Sequence, residues 1–121
     1  MRLVIVFDED YSAQLERLAF HTPVWLVDTP ANRTAAEEAW RAAIEWPHIT
    51  VTLFRRQEWD TLVEQISFQE KRPVDAMEVI GEPLSDPARL ALNDAGFDRF
   101  DETDHGFRAR KDAFHSSRIT P

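Results

Sequence analysis

Residues 24–34 read VWLVDTPANRT, and this stretch decides the fold. Its first four residues are apolar without a break, which is typical of a strand that is covered on both faces. Pro30 has no N–H for a sheet ladder, so the strand ends before it. Thr34 and Glu37 have the spacing of a capping box, which predicts that a helix begins there and runs to about Trp46. We expect Trp40 to anchor this helix to the sheet.

The rest of the chain repeats this unit of strand and helix. Continuous or alternating apolar runs predict strands near residues 3–7, 24–27, 49–54 and 76–80, each followed by a helical pattern. Residues 97–110 then predict a short C-terminal strand or a hairpin around Asp104 and Gly106. This alternation indicates a small α/β domain with a mostly parallel sheet of four to five strands and helices packed on it.

The two continuous runs belong in the middle of the sheet and the alternating run at its edge. A strand order 3-2-1-4, with the terminal strand beside the fourth, satisfies this requirement. The competing arrangement is a two-layer, ferredoxin-like α+β sheet. Either way, residues 1–111 are predicted to form one domain, and residues 112–121 a flexible C-terminal tail, because the apolar pattern fades there.

The amino-acid composition limits the classes of function that we expect for this chain. The formal net charge is −8 and the sequence pI is about 4.9, so the chain repels phosphate backbones and nucleic acid is an unexpected partner. It has no cysteine, which excludes disulfides and cysteine nucleophiles. Neither a charged-then-apolar leader nor an apolar run long enough to span a membrane is visible, so we expect a soluble, cytoplasmic protein.

A first candidate site consists of acids that follow the first two predicted strands. Asp8 and Asp10 follow the first strand, and Asp28 follows the second. If these strands are parallel neighbours, the three carboxylates meet at one sheet edge, where they could hold Mg²⁺. The alternative is that they cap helices and stabilise turns locally.

A second candidate site is cationic. Asn32 and Arg33 lie at the start of the second helix, and Arg55 and Arg56 follow the third strand. With Asp28 they could form a ligand-binding site, because guanidinium groups bind carboxylates and phosphates through paired hydrogen bonds. The alternative is that they form ordinary surface ion pairs.

Trp46 is the tryptophan whose position the predicted core explains least, and it could anchor an interface with a protein partner or a homodimer mate. Together these patterns favour a non-catalytic protein- or ligand-binding module without a cofactor. The other hypothesis is a Mg²⁺-dependent enzyme or phosphoacceptor domain that uses the acids at the sheet's carboxyl edge.

Overall fold

A computed structural model describes residues 1–112 of the protein. The predicted tail lies outside the described residues except for Asp112. The chain alternates strands and helices in the order β1(Arg2–Val6), α1(Ser12–Ala19), β2(Val24–Val27), α2(Pro30–Glu45), β3(Val51–Phe54), α3(Trp59–Gln69), β4(Ala76–Ile80), α4(Asp86–Asp94), β5(Arg99–Thr103) and β6(Gly106–Arg110).

The strands form one sheet in the order β3-β2-β1-β4-β6-β5. The first four strands in this order pair in parallel, while β6 and β5 add an antiparallel hairpin beside β4. The α/β class and the 3-2-1-4 order are therefore confirmed. The predicted count of four to five strands is too low, because both arms of the hairpin join the sheet and give six.

Each face of the sheet has its own core. Helices α1 and α2 cover one face, and the core between them and the sheet includes Val4, Val6, Leu15 and Leu26. Helices α3 and α4 cover the other face, where Trp25 is fully buried and donates its indole N–H to Glu70 Oε1 at 2.7 Å. Because β1 and β2 contribute side chains to both cores, their sequences are apolar without alternation.

Helix α2 begins four residues before the predicted start. Thr29 is its N-cap and accepts a hydrogen bond from the N–H of Asn32 at 3.2 Å, and Pro30 occupies the first helical position. The Thr34 hydroxyl instead donates to the Pro30 carbonyl inside the helix at 3.1 Å. The prediction that Thr34 caps the helix is wrong, because the proline fixes the φ angle that a first turn requires and the helix starts there.

Trp40 contacts the sheet as predicted, but at the sheet's margin and not as a buried anchor. Its side chain is 42% exposed, whereas Ala35, Ala36 and Ala39 are buried against the sheet. Small alanines let α2 approach the strands closely and leave the indole at the margin. There its N–H donates to the Val51 carbonyl of the edge strand β3 at 2.8 Å.

We expect Thr29→Ala to lower the free energy of unfolding by about 1–2 kcal/mol in urea denaturation, which is typical for loss of an N-cap. The hydroxyl of Thr29 also donates to the Glu9 carbonyl, so the change removes a second hydrogen bond. Thr34→Ala is the matched control and should change the free energy of unfolding by much less. Equal losses in the two variants would contradict the assignment of Thr29 as the cap.

Candidate functional site

The carboxyl ends of β1, β2, β3 and β4 meet at one edge of the sheet, called here the carboxyl edge. The chain reverses its direction of travel across the sheet between β1 and β4, because β2 and β3 lie on one side of β1 and β4 on the other. In open α/β sheets, ligands bind outside the carboxyl ends at such a switch point. A ligand site is therefore expected at the loops after β1 and β4.

The two loops touch closely at Asp8 and Gly81. The N–H of Phe7 donates to the Ile80 carbonyl at 2.7 Å. Gly81 has a φ of +86°, and a Cβ placed on it would lie 2.4 Å from Asp8 Oδ1. Both features favour glycine, since other residues rarely adopt this φ and a Cβ would also lie 2.9 Å from the backbone nitrogen of Asp8.

The three predicted metal ligands point to different neighbours. Asp8 lies against Gly81, on the β4 side of its strand, while the Asp28 carboxylate pairs with Arg33 at 2.5 Å. Asp10 accepts hydrogen bonds from the hydroxyl and the N–H of Ser12, which lower its pKa. No group of three or more His, Cys, Asp or Glu side chains within residues 1–112 is arranged to hold a metal ion.

Asn32 is the buried polar residue that joins the first two loops. It is fully buried, and its Oδ1 accepts from the N–H of Tyr11 at 2.7 Å. Its Nδ2 donates to the carbonyls of Asp8 at 2.8 Å and Val27 at 3.0 Å. Both amide hydrogens and the oxygen are thus engaged with backbone, so this side chain holds the carboxyl edge together.

The three predicted arginines do not form one cluster. Arg33 pairs with Asp28, and both line a shallow groove along β3 together with Arg55. Arg56 turns the other way and pairs with Glu82 from the loop after β4. Its guanidinium carbon also lies 5.0 Å above the centroid of the Phe7 ring, a cation–π contact.

Arg56 borders a larger opening, called here the α3–α4 cleft. This cleft of about 710 Å³ opens at the carboxyl edge, between the first turn of α3 and a face of α4 that extends from Pro87 to Asp94. Phe7 and Trp59 form its floor, with ring centroids 5.5 Å apart, and both are largely buried, with 4% and 9% of their surface exposed. Leu90 of α4 also lines it and is 64% exposed.

The charges around the α3–α4 cleft are mostly negative. Five charged side chains line it, and Arg56 is the single cation among Glu58, Asp60, Glu82 and Asp94. Asp60 lies in the first turn of α3, where a carboxylate also stabilises the helix dipole. The cleft thus combines an apolar floor with an excess of carboxylates, and the carboxylates attract cations.

Of the cleft residues, only Arg56 is a predicted site residue. Phe7 and Trp59 read in sequence as core positions, and Glu82 reads as a turn residue between Gly81 and Pro83. The available signal was the strand order itself, because 3-2-1-4 places a switch point between β1 and β4. The loops after those strands could therefore have been predicted as a candidate site from the strand order.

The predicted interface residue Trp46 belongs to an exposed aromatic group at the opposite edge of the sheet. Its ring centroid lies 5.6 Å from that of Phe20 and 6.4 Å from that of His48. Trp46 is 46% exposed and Phe20 is 41% exposed. The rings cover one another in part, and an interface role for Trp46 stays a prediction.

Comparison of the chain with protein-family models, curated proteins and solved structures finds no match. None of the helices within residues 1–112 has the length and apolar character needed to cross a bilayer. A fold alone does not specify a function, so a function can be inferred only from the chemistry of the sites.

Proposed function

We propose that the protein is a non-catalytic binding module and that its ligand is a cation on an apolar body, held in the α3–α4 cleft. The observation that carries this proposal is the pairing of Phe7 and Trp59 with four lining carboxylates at the carboxyl edge. An apolar body would cover Leu90 and pack over the largely buried rings of Phe7 and Trp59, while the positive group would meet the carboxylates. The cleft's volume is also in the range of small-molecule sites.

Arg56 supports this choice of ligand. Its guanidinium already contacts the Phe7 ring and the Glu82 carboxylate, which are the two kinds of partner that an incoming cation would use. An ammonium or guanidinium group of a ligand would therefore compete with Arg56 for this position. Arg56 is more than half exposed, so it can swing outward at little cost.

The same chemistry is available from a free organic amine and from a lysine or arginine side chain of a partner protein. We expect isothermal titration calorimetry to detect benzylammonium binding, with much weaker binding of benzyl alcohol and benzoate. A lysine-rich peptide in a parallel titration separates the two sources, because a protein partner would make the peptide bind more tightly than the amine. A Mg²⁺ titration tests the competing cation-dependent hypothesis.

Variants with opposite expected signs make the test specific. Glu82→Gln should weaken amine binding about tenfold, whereas Arg56→Gln should strengthen it by removing the internal competitor. Glu64→Gln, an exposed carboxylate of α3 outside the cleft, is the matched control and should leave the affinity unchanged. Equal binding of amine, alcohol and benzoate would refute the proposal, and so would weaker amine binding in Arg56→Gln.

A further inference from the structure

A second cavity lies at the opposite end of α3, near the amino ends of the parallel strands. This pocket of about 290 Å³ is called here the amino-edge pocket. Apolar side chains from α3, β4 and the loops around them line it, namely Val63, Ile66, Val74, Met77, Ala95 and Phe97. Its volume is less than half that of the α3–α4 cleft and suits only a small ligand.

The charges at the amino-edge pocket have the opposite sign to those of the protein as a whole. Three cations line it, Lys71, Arg72 and Lys111, against the single carboxylate of Glu70. That carboxylate already accepts the indole N–H of Trp25 at 2.7 Å. A locally positive opening in a chain with a net charge of −8 calls for an explanation beyond solubility.

The positions of the cations leave them available to a ligand. Lys71 and Arg72 are exposed in the loop after α3, and neither belongs to an ion pair within residues 1–112. The Lys111 amine lies 5.2 Å from the centroid of the Phe97 ring, at the boundary between the apolar lining and solvent. The nearby Asp75 carboxylate is bound by the N-terminal amine at 2.9 Å, and its pKa is lowered chiefly by that hydrogen bond and least by the charge of Lys111.

We infer that the amino-edge pocket binds a small organic anion, specifically a monocarboxylate with a short apolar tail. The tail would fill the apolar lining, and the carboxylate would lie among the three cations. Arg72 can donate two parallel hydrogen bonds to a carboxylate, and the lysines add point charges. The pocket is independent of the proposed function, because it lies at the other end of α3 and takes a ligand of the opposite charge.

A purely structural role offers the competing explanation. Lys71 and Arg72 follow the C-terminus of α3, where cations stabilise the helix dipole. In that case their replacement would lower the stability of the ligand-free protein and would have no bearing on carboxylates. Ligand titration and thermal unfolding, measured on the same variants, separate the two roles.

We expect calorimetry on the full chain to detect hexanoate, while hexanol and hexylamine bind at least tenfold more weakly. Replacing both Lys71 and Arg72 with glutamine should weaken hexanoate binding at least tenfold. Arg17→Gln, a change on α1 at the opposite face of the sheet, is the matched control and should leave it unchanged. Hexanol binding as tightly as hexanoate, or an unchanged affinity in the double variant, would overturn the inference.

Ala95→Leu tests the apolar part of the pocket separately. The larger side chain would occupy space that the ligand tail needs, so hexanoate binding should be lost while the three cations remain. Thermal unfolding of this variant shows whether it is folded. If the variant is folded and still binds hexanoate with wild-type affinity, the ligand does not enter the pocket and the inference fails. If it does not fold, the inference is tested by hexanoate binding to the variant in which Lys71 and Arg72 are both replaced with glutamine.

Discussion

Replacing Asn32 with alanine is expected to lower the free energy of unfolding by about 3 kcal/mol, because it removes three hydrogen bonds from a fully buried side chain. The Tyr11 N–H and the carbonyls of Asp8 and Val27 would lose their partner, and the bond to Val27 lies in the buried interior. An unsatisfied buried group costs more than an average hydrogen bond contributes, so the loss should exceed that of an N-cap.

The measurement for Asn32 is equilibrium unfolding in urea, with Asn93→Ala as the matched control. Asn93 is exposed on α4, where alanine is the better helix former, so this control should lose little or no stability. Asn32→Asp is a sharper probe, because it keeps the acceptor for Tyr11 but places a carboxylate against two carbonyls. We expect it to be at least as destabilising as Asn32→Ala at neutral pH. A loss below about 1 kcal/mol in Asn32→Ala would show that the loops do not depend on this residue.

Gly106→Ala is expected to be the other severe change, with a loss of roughly 3 kcal/mol or more. A Cβ at this position would lie 1.9 Å from the Val79 carbonyl oxygen and 2.8 Å from its carbon. Both atoms are main-chain atoms of β4, which is paired with β1 on one side and β6 on the other. Strand β4 cannot move away without breaking its hydrogen bonds to β1 and β6, so the clash with the new Cβ cannot be relieved by a small shift of the backbone.

Gly96→Ala provides the matched control for Gly106. Gly96 has a φ of +103°, but its nearest side-chain neighbour is the flexible Lys111 Cε at 3.3 Å. The cost there is mainly conformational, about 1–2 kcal/mol. Urea unfolding of both variants should therefore give a clearly larger loss for Gly106→Ala. A smaller loss at Gly106 than at Gly96 would contradict the close approach of β6 to β4.

The strand order was predictable because it depends on apolar patterns that extend over several residues. Unbroken apolar runs in β1 and β2 require cover on both faces, and the alternation in β3 requires an edge. The cap of α2 and the role of Trp40 were not predictable in the same way. Thr34 has the capping-box spacing with Glu37, whereas Thr29 caps the helix because Pro30 occupies the first helical position.

The candidate sites were less predictable, because they depend on contacts between loops that are distant in sequence. Sequence placed Asp8 and Asp28 after neighbouring strands, but it could not show that one turns toward Gly81 and the other toward Arg33. Likewise, Arg55 and Arg56 are adjacent in the chain and line different openings, because successive residues of an extended segment point to opposite sides. The pairing of Arg56 with Glu82 joins loops that follow β3 and β4, which β2 and β1 separate in the sheet, so neither local sequence nor strand order predicts it.

The central position of β1 has a consequence for how the chain folds during synthesis. One edge of β1 pairs with β2, which leaves the ribosome soon afterwards, but the other edge waits for β4, whose Met77 pairs with Leu3. Until then only α3 can cover the apolar side chains on that face, because α4 follows β4 in the chain, and an unpaired strand edge lies at the centre of the future sheet. We expect closure of β4 onto β1 to limit the folding rate, since it requires the longest loop among the parallel pairs.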